Sequence, residues 1–273
     1  MPEGPELKIS SELVKPLVIN KPIVSAFQSS NGRYANSAIE GHAQFLEDLK
    51  SQGCHVTDVN VKGKFMYWTF SNGQYMFSTF GMTGQWAPKP GKHPCFGFYF
   101  DDSSEIHFND PRHFGTIKFT NKKSDLIEKL NDLGWDPFTD FTTQQENFIF
   151  NSLQKSKQNI AHTLMDQSIF AGVGNYIRAE ALYLAKLAPT RLSKALSRDE
   201  VNLLCKSIIE VMEKSYNFQG ATLHTYKDSY GNEGKYSSQF KVYGRKIDDL
   251  GNKIVKETST EGRTIHWCPA IQI

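Results

Sequence analysis

The sequence predicts an α+β protein, β-rich in its first part, helical in its second and strand-bearing at its C-terminal end. Three observations carry this. Within residues 1–120, short aromatic and β-branched segments at 64–70, 74–80 and 96–100 stand between glycine and proline turns. Residues 144–216 space their apolar side chains as helices do. Residues 240–273 alternate again, with Phe240–Tyr243, Lys253–Val255 and Arg263–Trp267 able to pair as a hairpin.

The elements follow in order. Leu7, Ile9, Leu13, Val14, Leu17 and Val18 predict an amphipathic helix over 7–18, the exception in the β-rich part. Residues 122–145 resemble an interdomain connection with a short helix at 124–133. Ser197 and Glu200 form a capping box ahead of Val201, Leu204, Ile208, Val211 and Met212. Residues 217–239 are aperiodic and read as a long loop.

Composition bounds the function. At 273 residues, 39% hydrophobic and 22% charged, the chain is long enough for one large or two ordinary domains. Residues 151–273 hold 17 Lys and Arg against 12 Asp and Glu, net +5; residues 1–150 hold 14 against 17, net −3. That asymmetry points to a polyanion-binding C-terminal half. No 18-residue apolar run and no signal-like N-terminus appear, so the expectation is an intracellular protein of the cytoplasm or nucleus, not bound to a membrane. Cys54, Cys95, Cys205 and Cys268 are scattered without C-x-x-C spacing, which argues for reduced thiols and against a cysteine-rich zinc site.

The N-terminus carries chemistry. Removal of Met1 would expose Pro2, a secondary amine. An α-amino group titrates near pH 8, so a useful fraction is neutral at pH 7. A neutral amine can attack an aldehyde carbon to give an iminium, with Glu3 and Glu6 available for the proton transfers.

Several separated segments together resemble the Fpg/Nei family of bifunctional DNA glycosylases, in the family's order and over nearly the whole chain. They are Pro2–Glu6, Val61–Phe65, Gly81–Gly84, Asp110–Gly115, Leu164–Gln167 with Ala171–Glu180, Val242–Arg245 and Gly262–Trp267. The extended GVGNYIRAE string leans towards the Nei side. The resemblance implies that Pro2 is the nucleophile, that Glu3 assists base loss and ribose protonation, and that Glu6 and Lys64 complete the catalytic set. A flipped-out base leaves a hole in the duplex; the resemblance assigns Met82, Arg112 and Phe114 to fill it. It assigns DNA contacts to Gly174, Asn175, Tyr243 and Arg263, with Gly172 and Gly174 allowing close approach to a phosphate and Asn175 capping the following helix.

The implied architecture is an N-terminal β-sandwich catalytic domain (1–122), a linker (123–145), a helix–two-turn–helix domain with a substrate-recognition loop (146–239) and a β-hairpin finger (240–273), with DNA in the cleft between domains. Many relatives carry a four-cysteine zinc finger at that end. Here Asp248, Asp249 and Leu250 fill the first cysteine pair's place, and only Cys268 remains of the second. One thiolate cannot hold structural zinc, so the chain resembles members with a zincless finger, packed through Ile254, Ile265 and Trp267, with His266 at the surface. No metal or organic cofactor is expected.

The expected activity is excision of oxidised bases from duplex or single-stranded DNA, oxidised pyrimidines first and hydantoins and 8-oxoguanine behind, followed by β,δ-elimination. A monomer suffices. Retention of the 220–236 loop keeps oxidised purines open, and Ala161 stands where a phosphate-contacting lysine is common, with Lys155 or Lys157 as substitutes. The rivals are a catalytically inactive damaged-DNA-binding relative, which intact Pro2, Glu3 and Lys64 oppose, and a helix–two-turn–helix protein of another kind, which the N-terminal hexapeptide opposes. Arg263→Ala is expected to weaken DNA binding at every sequence, leave the fold intact and lower the salt slope by about one; binding isotherms across a salt series check this.

Overall fold

The computed structural model describes residues 2–30, 34, 37–222, 227–258 and 262–273. The chain divides into two compact units, one of residues 1–2, 6–131 and 219–234, the other of residues 3–5, 132–218 and 235–273. This division differs from the expected boundaries. The helix inside the expected linker and the loop segment 219–234 both group with the first unit.

Helix α1 (Gly4–Val18), which belongs to the first unit from Glu6 onward, begins three residues before the expected 7–18. Pro5 lies in its first turn, where a missing N–H removes no intrahelical bond. One antiparallel sheet contains β1 (Ile23–Gln28), β5 (Gln85–Ala87), β6 (Pro94–Phe100) and β7 (Glu105–Asn109), in the order β1-β6-β7-β5. The other contains β2 (Val56–Lys62), β3 (Phe65–Phe70), β4 (Tyr75–Thr79) and β8 (Thr116–Thr120), in that order. Their inward side chains form one core. Trp68 of β3 and Trp86 of β5 meet with ring centroids 4.7 Å apart, and Trp86 Nε1 donates to Ser78 Oγ of β4 at 3.1 Å. Two sheets sharing one apolar interior make a β-sandwich.

Helix α2 (His42–Gln52) is an addition to the β-rich reading of this part. His42, Phe45 and Leu49 are buried on one face, a spacing that sets Phe45 against Phe70, Phe98 and Phe119. Helix α3 (Lys123–Asn131) ends the continuous part of this unit.

The second unit is helical, with α4 (Thr143–Lys155), α5 (Ile160–Thr163), α6 (Asn175–Leu184) and α7 (Arg198–Asn217). The Ser197–Glu200 capping box opens α7 as its spacing predicts, and a second box, Thr142–Gln145, opens α4. No described helix is long and apolar enough to cross a membrane. At the C-terminal end, β9 (Val255–Thr258) pairs with β10 (Thr264–Trp267) in antiparallel register, Val255 opposite Trp267. Phe240–Tyr243 forms no strand, contrary to expectation. The amides of Lys241, Val242 and Tyr243 all donate to the Glu180 carboxylate, at 2.7, 3.0 and 2.8 Å, and so are spent on a side chain rather than on a ladder.

The loop before β9 is organised by Asp248, which is buried. Its Oδ1 accepts from the amides of Leu250 (2.9 Å) and Asn252 (2.8 Å). Its Oδ2 accepts from Asn252 Nδ2 (2.9 Å), Tyr183 OH (3.1 Å) and the Cys268 thiol (3.6 Å). The motif, Asp-x-x-Gly-Asn with the glycine at positive φ, recurs at Asp228–Asn232 with the same three bonds from the second and fourth following residues. There Gln85 Nε2 of β5 donates to the Asp228 carbonyl at 2.7 Å. A carboxylate fed by five donors thus organises the loop at residues 248–252.

Burial pushes the Asp248 carboxyl up, but hydrogen bonds from Asn252, Leu250 and Tyr183 outweigh it and hold the group at about 2. A depressed carboxyl contributes stability that is complete above its ordinary value of 3.8 and is lost as pH falls through about 2. Asp248→Ala is expected to abolish amide-exchange protection at Leu250 and Asn252 while α7 stays protected. Unchanged protection at those two amides would refute the central role of Asp248.

Candidate active site

The N-terminal segment is held by the start of α6. Glu3 is buried, and its two carboxylate oxygens accept from the Tyr176 amide (3.0 Å) and the Ile177 amide (3.3 Å). These are among the donors that a helix leaves without intrahelical partners, and the helix dipole adds to the attraction of an anion there. The Gly4 amide donates to the Gly172 carbonyl at 3.0 Å. A Cβ on Gly174 would overlap the Glu3 carboxyl group, so glycine at 174 makes room for this carboxylate. That space was expected to admit a phosphate. Asn175 was expected to cap the helix, whereas Gly174 is the N-cap residue, no side chain of its own caps the helix, and the Glu3 carboxylate serves instead.

Pro2 is buried one residue away, in the first unit. Glu6 is buried on α1, and its Oε1 accepts from the Ala221 amide at 2.8 Å, at the root of the 220–236 loop. Residues 223–226 of that loop lie outside the described residues. Lys64 is half-buried just after the Gly63 turn between β2 and β3. The neighbouring Lys62 Nζ donates to the Leu130 carbonyl at 2.8 Å.

The three expected void-filling side chains are all at the surface of the first unit. Met82 is 38% and Phe114 52% exposed, against the 0–7% typical of its core residues. Arg112 is exposed, with its guanidinium carbon 4.9 Å from the Phe114 ring centroid. Asp110, to which no role was expected from the sequence, joins their two turns. Buried, it accepts from Thr83 Oγ1 (2.5 Å), the Arg112 amide (3.3 Å) and the Gly115 amide (2.6 Å). Thr83 Oγ1 in turn accepts from the Arg112 amide at 3.2 Å. An Asp before Pro at a turn was the available signal.

In the second unit, the GVGNYIRAE string ties α6 to the hairpin. Asn175 Nδ2 donates to Tyr243 OH (3.4 Å) and to the Thr264 carbonyl (3.1 Å). Arg178 is buried; its guanidinium donates to Asn175 Oδ1, to the Ala161 carbonyl (3.1 Å) and to the Thr264 carbonyl (3.4 Å). Glu180 holds the backbone leading to Tyr243, and burial raises its pKa against the three amide bonds that lower it. In the sequence Arg178 and Glu180 stand only as part of the string. Their helical spacing beside Asn175 was visible, but their buried partners were not. Arg263 is exposed, directly before β10. His266, expected at the surface, is buried with its ring centroid 4.9 Å from that of Tyr243. Burial, then the charges of Lys256 and Arg178, lower its pKa. Ile254 and Ile265 are buried as expected, with Val242, Ala179 and Cys268 packed beside Ile254. Among the described residues, no group of three or more His, Cys, Asp or Glu could hold a metal ion.

Residues 1–117 match the formamidopyrimidine-DNA glycosylase N-terminal domain and residues 133–227 the formamidopyrimidine-DNA glycosylase H2TH domain. The chain is 31% identical to a formamidopyrimidine-DNA glycosylase of Cytobacillus firmus, over 100% of both chains. A Lactococcus lactis Fpg mutant complexed with Fapy-dG-containing DNA aligns with TM-score 0.87 and 26% identity, covering 99% of each chain. The wild-type L. lactis protein complexed with DNA containing an oxidised pyrimidine aligns with TM-score 0.85 and 25% identity, again over 99% of each. The chain belongs to the formamidopyrimidine-DNA glycosylase family. It is a DNA glycosylase of base excision repair, and DNA is its partner. The relatives' names carry the family and not the Nei-like subtype.

Gly174→Ala is expected to fold, to dislodge Glu3 from α6 and to lower single-turnover base excision by about 100-fold, the scale of a misplacement near 1 Å. An unchanged rate in a folded variant would show that the Glu3 seat is dispensable.

Proposed function

We propose that this chain excises oxidised bases from DNA and then cuts the strand at the resulting site by β,δ-elimination, with the Pro2 amine as nucleophile. The observation that carries this reading is the Glu3 carboxylate fixed by two α6 amides, one residue from that amine. A carboxylate held this way keeps its position through the reaction, which is what a proton-transfer group adjacent to a nucleophile requires.

The amine attacks C1′ of the damaged nucleotide and the base leaves with a proton. The aminal opens to an iminium, which acidifies the C2′ proton. Loss of that proton expels the 3′ phosphate, and a second elimination expels the 5′ phosphate; water then releases the sugar fragment from Pro2. Glu3 manages the ribose proton, Glu6 is the second acid of the site, and Lys64 places a cation beside the phosphate and the departing base. Met82, Arg112 and Phe114 fill the emptied position in the duplex; their exposure on turns locked by Asp110 supports this. Asn175, Tyr243 and Arg263 form the phosphate-contacting set, Gly174 being given over to the Glu3 carboxylate, and the Asn175–Tyr243 contact supports their acting together.

Oxidised pyrimidines are the first substrate class and oxidised purines the second. The L. lactis relatives bound to DNA carrying each kind of lesion support both. The 220–236 loop, rooted on Glu6 through Ala221, is the segment that would tell them apart.

Borohydride trapping on a duplex carrying an abasic site or thymine glycol tests the mechanism. A covalent protein–DNA band is expected with processed wild-type protein and none with Pro2→Gly or with retained Met1. Full strand cleavage by the Met-retained protein would exclude the Pro2 amine as nucleophile. DNA binding without any trapped band would favour the non-catalytic relative.

A further inference from the structure

The C-terminal finger contains a second cationic feature, apart from Arg263. A surface cavity of about 450 Å³ is lined by Gly244, Arg245, Lys246, Lys253, Ile254, Lys256 and His266. Four of its seven lining residues are cations and none is acidic. Arg245 is paired with Asp249 at 2.7 Å. Lys246, Lys253 and Lys256 are exposed, and none of the three has an acidic partner among the described residues.

Their placement is fixed by backbone pairing. The stem of the Asp248 loop closes through an antiparallel bridge between Ile247 and Lys253 and through the Ile254 amide donating to the Lys246 carbonyl at 3.0 Å. This sets Lys253 opposite Ile247 and Lys246 opposite Ile254 in the stem. Lys256 of β9 stands directly opposite His266 of β10, and directly opposed residues project to the same face of a hairpin. The imidazole is buried and its Nδ1 has no hydrogen-bond partner. A polar atom left so in a native structure calls for a reason. Three uncompensated ammonium groups around one concavity repel each other, and an anion seated among them removes that repulsion. The His266 ring also meets Tyr243, whose hydroxyl accepts from Asn175, so the cavity adjoins the proposed phosphate-contacting pair.

We propose that the cavity bounded by Lys246, Lys253, Lys256 and His266 is a second phosphate site of the finger, which takes a DNA backbone phosphate beyond those met by Asn175, Tyr243 and Arg263. The inference rests on the DNA-binding reading of this unit. It lengthens the electrostatic footprint of the finger without touching the catalytic residues.

The test compares wild-type protein with K246A/K253A/K256A. The slope of log Kobs against log salt for a long lesion-bearing duplex is expected to fall by about 0.9 for each phosphate that the variant no longer neutralises. Excision by the variant at saturating DNA should be unchanged. In wild-type protein the His266 imidazole NMR signals should shift on addition of undamaged duplex, and also with inorganic phosphate; in the triple variant the response to inorganic phosphate should be lost. An unchanged slope overturns the site. A lowered slope with His266 silent to both ligands reduces the lysines to long-range charge and also overturns it. A His266 response to inorganic phosphate with an unchanged slope marks a small-anion site and overturns the assignment to DNA. Wild-type protein without salt-dependent DNA binding would overturn the DNA reading itself, and this ligand with it.

Discussion

The N-terminal segment depends on one contact, the buried Glu3 carboxylate on the free Tyr176 and Ile177 amides of α6. Two charge-assisted bonds in a buried setting are worth about 2 kcal/mol each, enough to fix an N-terminal segment that would otherwise fray. The Gly4–Gly172 backbone bond and the open space at Gly174 complete the seat. An N-terminal amine is useful as a nucleophile only if its position is defined, and this contact defines the residue beside it. The glycine-rich turn before α6 therefore has a use within the protein itself. The same turn that could receive a phosphate receives the protein's own carboxylate.

The second unit repeats this logic with other carboxylates. Glu180 gathers three consecutive amides before Tyr243, and Asp248 gathers five donors at the root of the hairpin. Each is a buried acid whose partners are nearly all backbone amides or neutral side chains. Such groups are costly to bury unmet and specific once met. They explain how a short hairpin with a single cysteine keeps a definite shape, and how residues such as Arg263 and the cavity lysines are presented from it. In the first unit, Asp110 does the same for the turns of Met82, Arg112 and Phe114.

Much of this was legible in the sequence. Strands at 64–70, 74–80 and 96–100 declared themselves through aromatic and β-branched runs, and Ser197 and Glu200 marked the start of the long helix by a local rule. The order of motifs gave the family. What escaped had long-range causes. Helix α2 was hidden because Phe45 and Leu49 lie in a region dominated by strand signals, and only the sandwich core shows which face they bury. Phe240–Tyr243 has the alternation of a strand but spends its amides on Glu180, some 60 residues earlier. His266 looked like a surface residue because nothing local announces that Tyr243 covers it.

The sequence by itself determined the segments, the residue types available for chemistry and the identity of the turns, because these depend on near neighbours and on side-chain chemistry. The tertiary structure decided which acid is matched to which donors: Glu3 to α6, Glu6 to the loop root at Ala221, Glu180 to the Tyr243 backbone, Asp110 and Asp248 to their turns. The reason is physical. A buried carboxylate must be satisfied, but its donors can lie anywhere in the chain that folding brings within about 3 Å, and no local pattern records that distance.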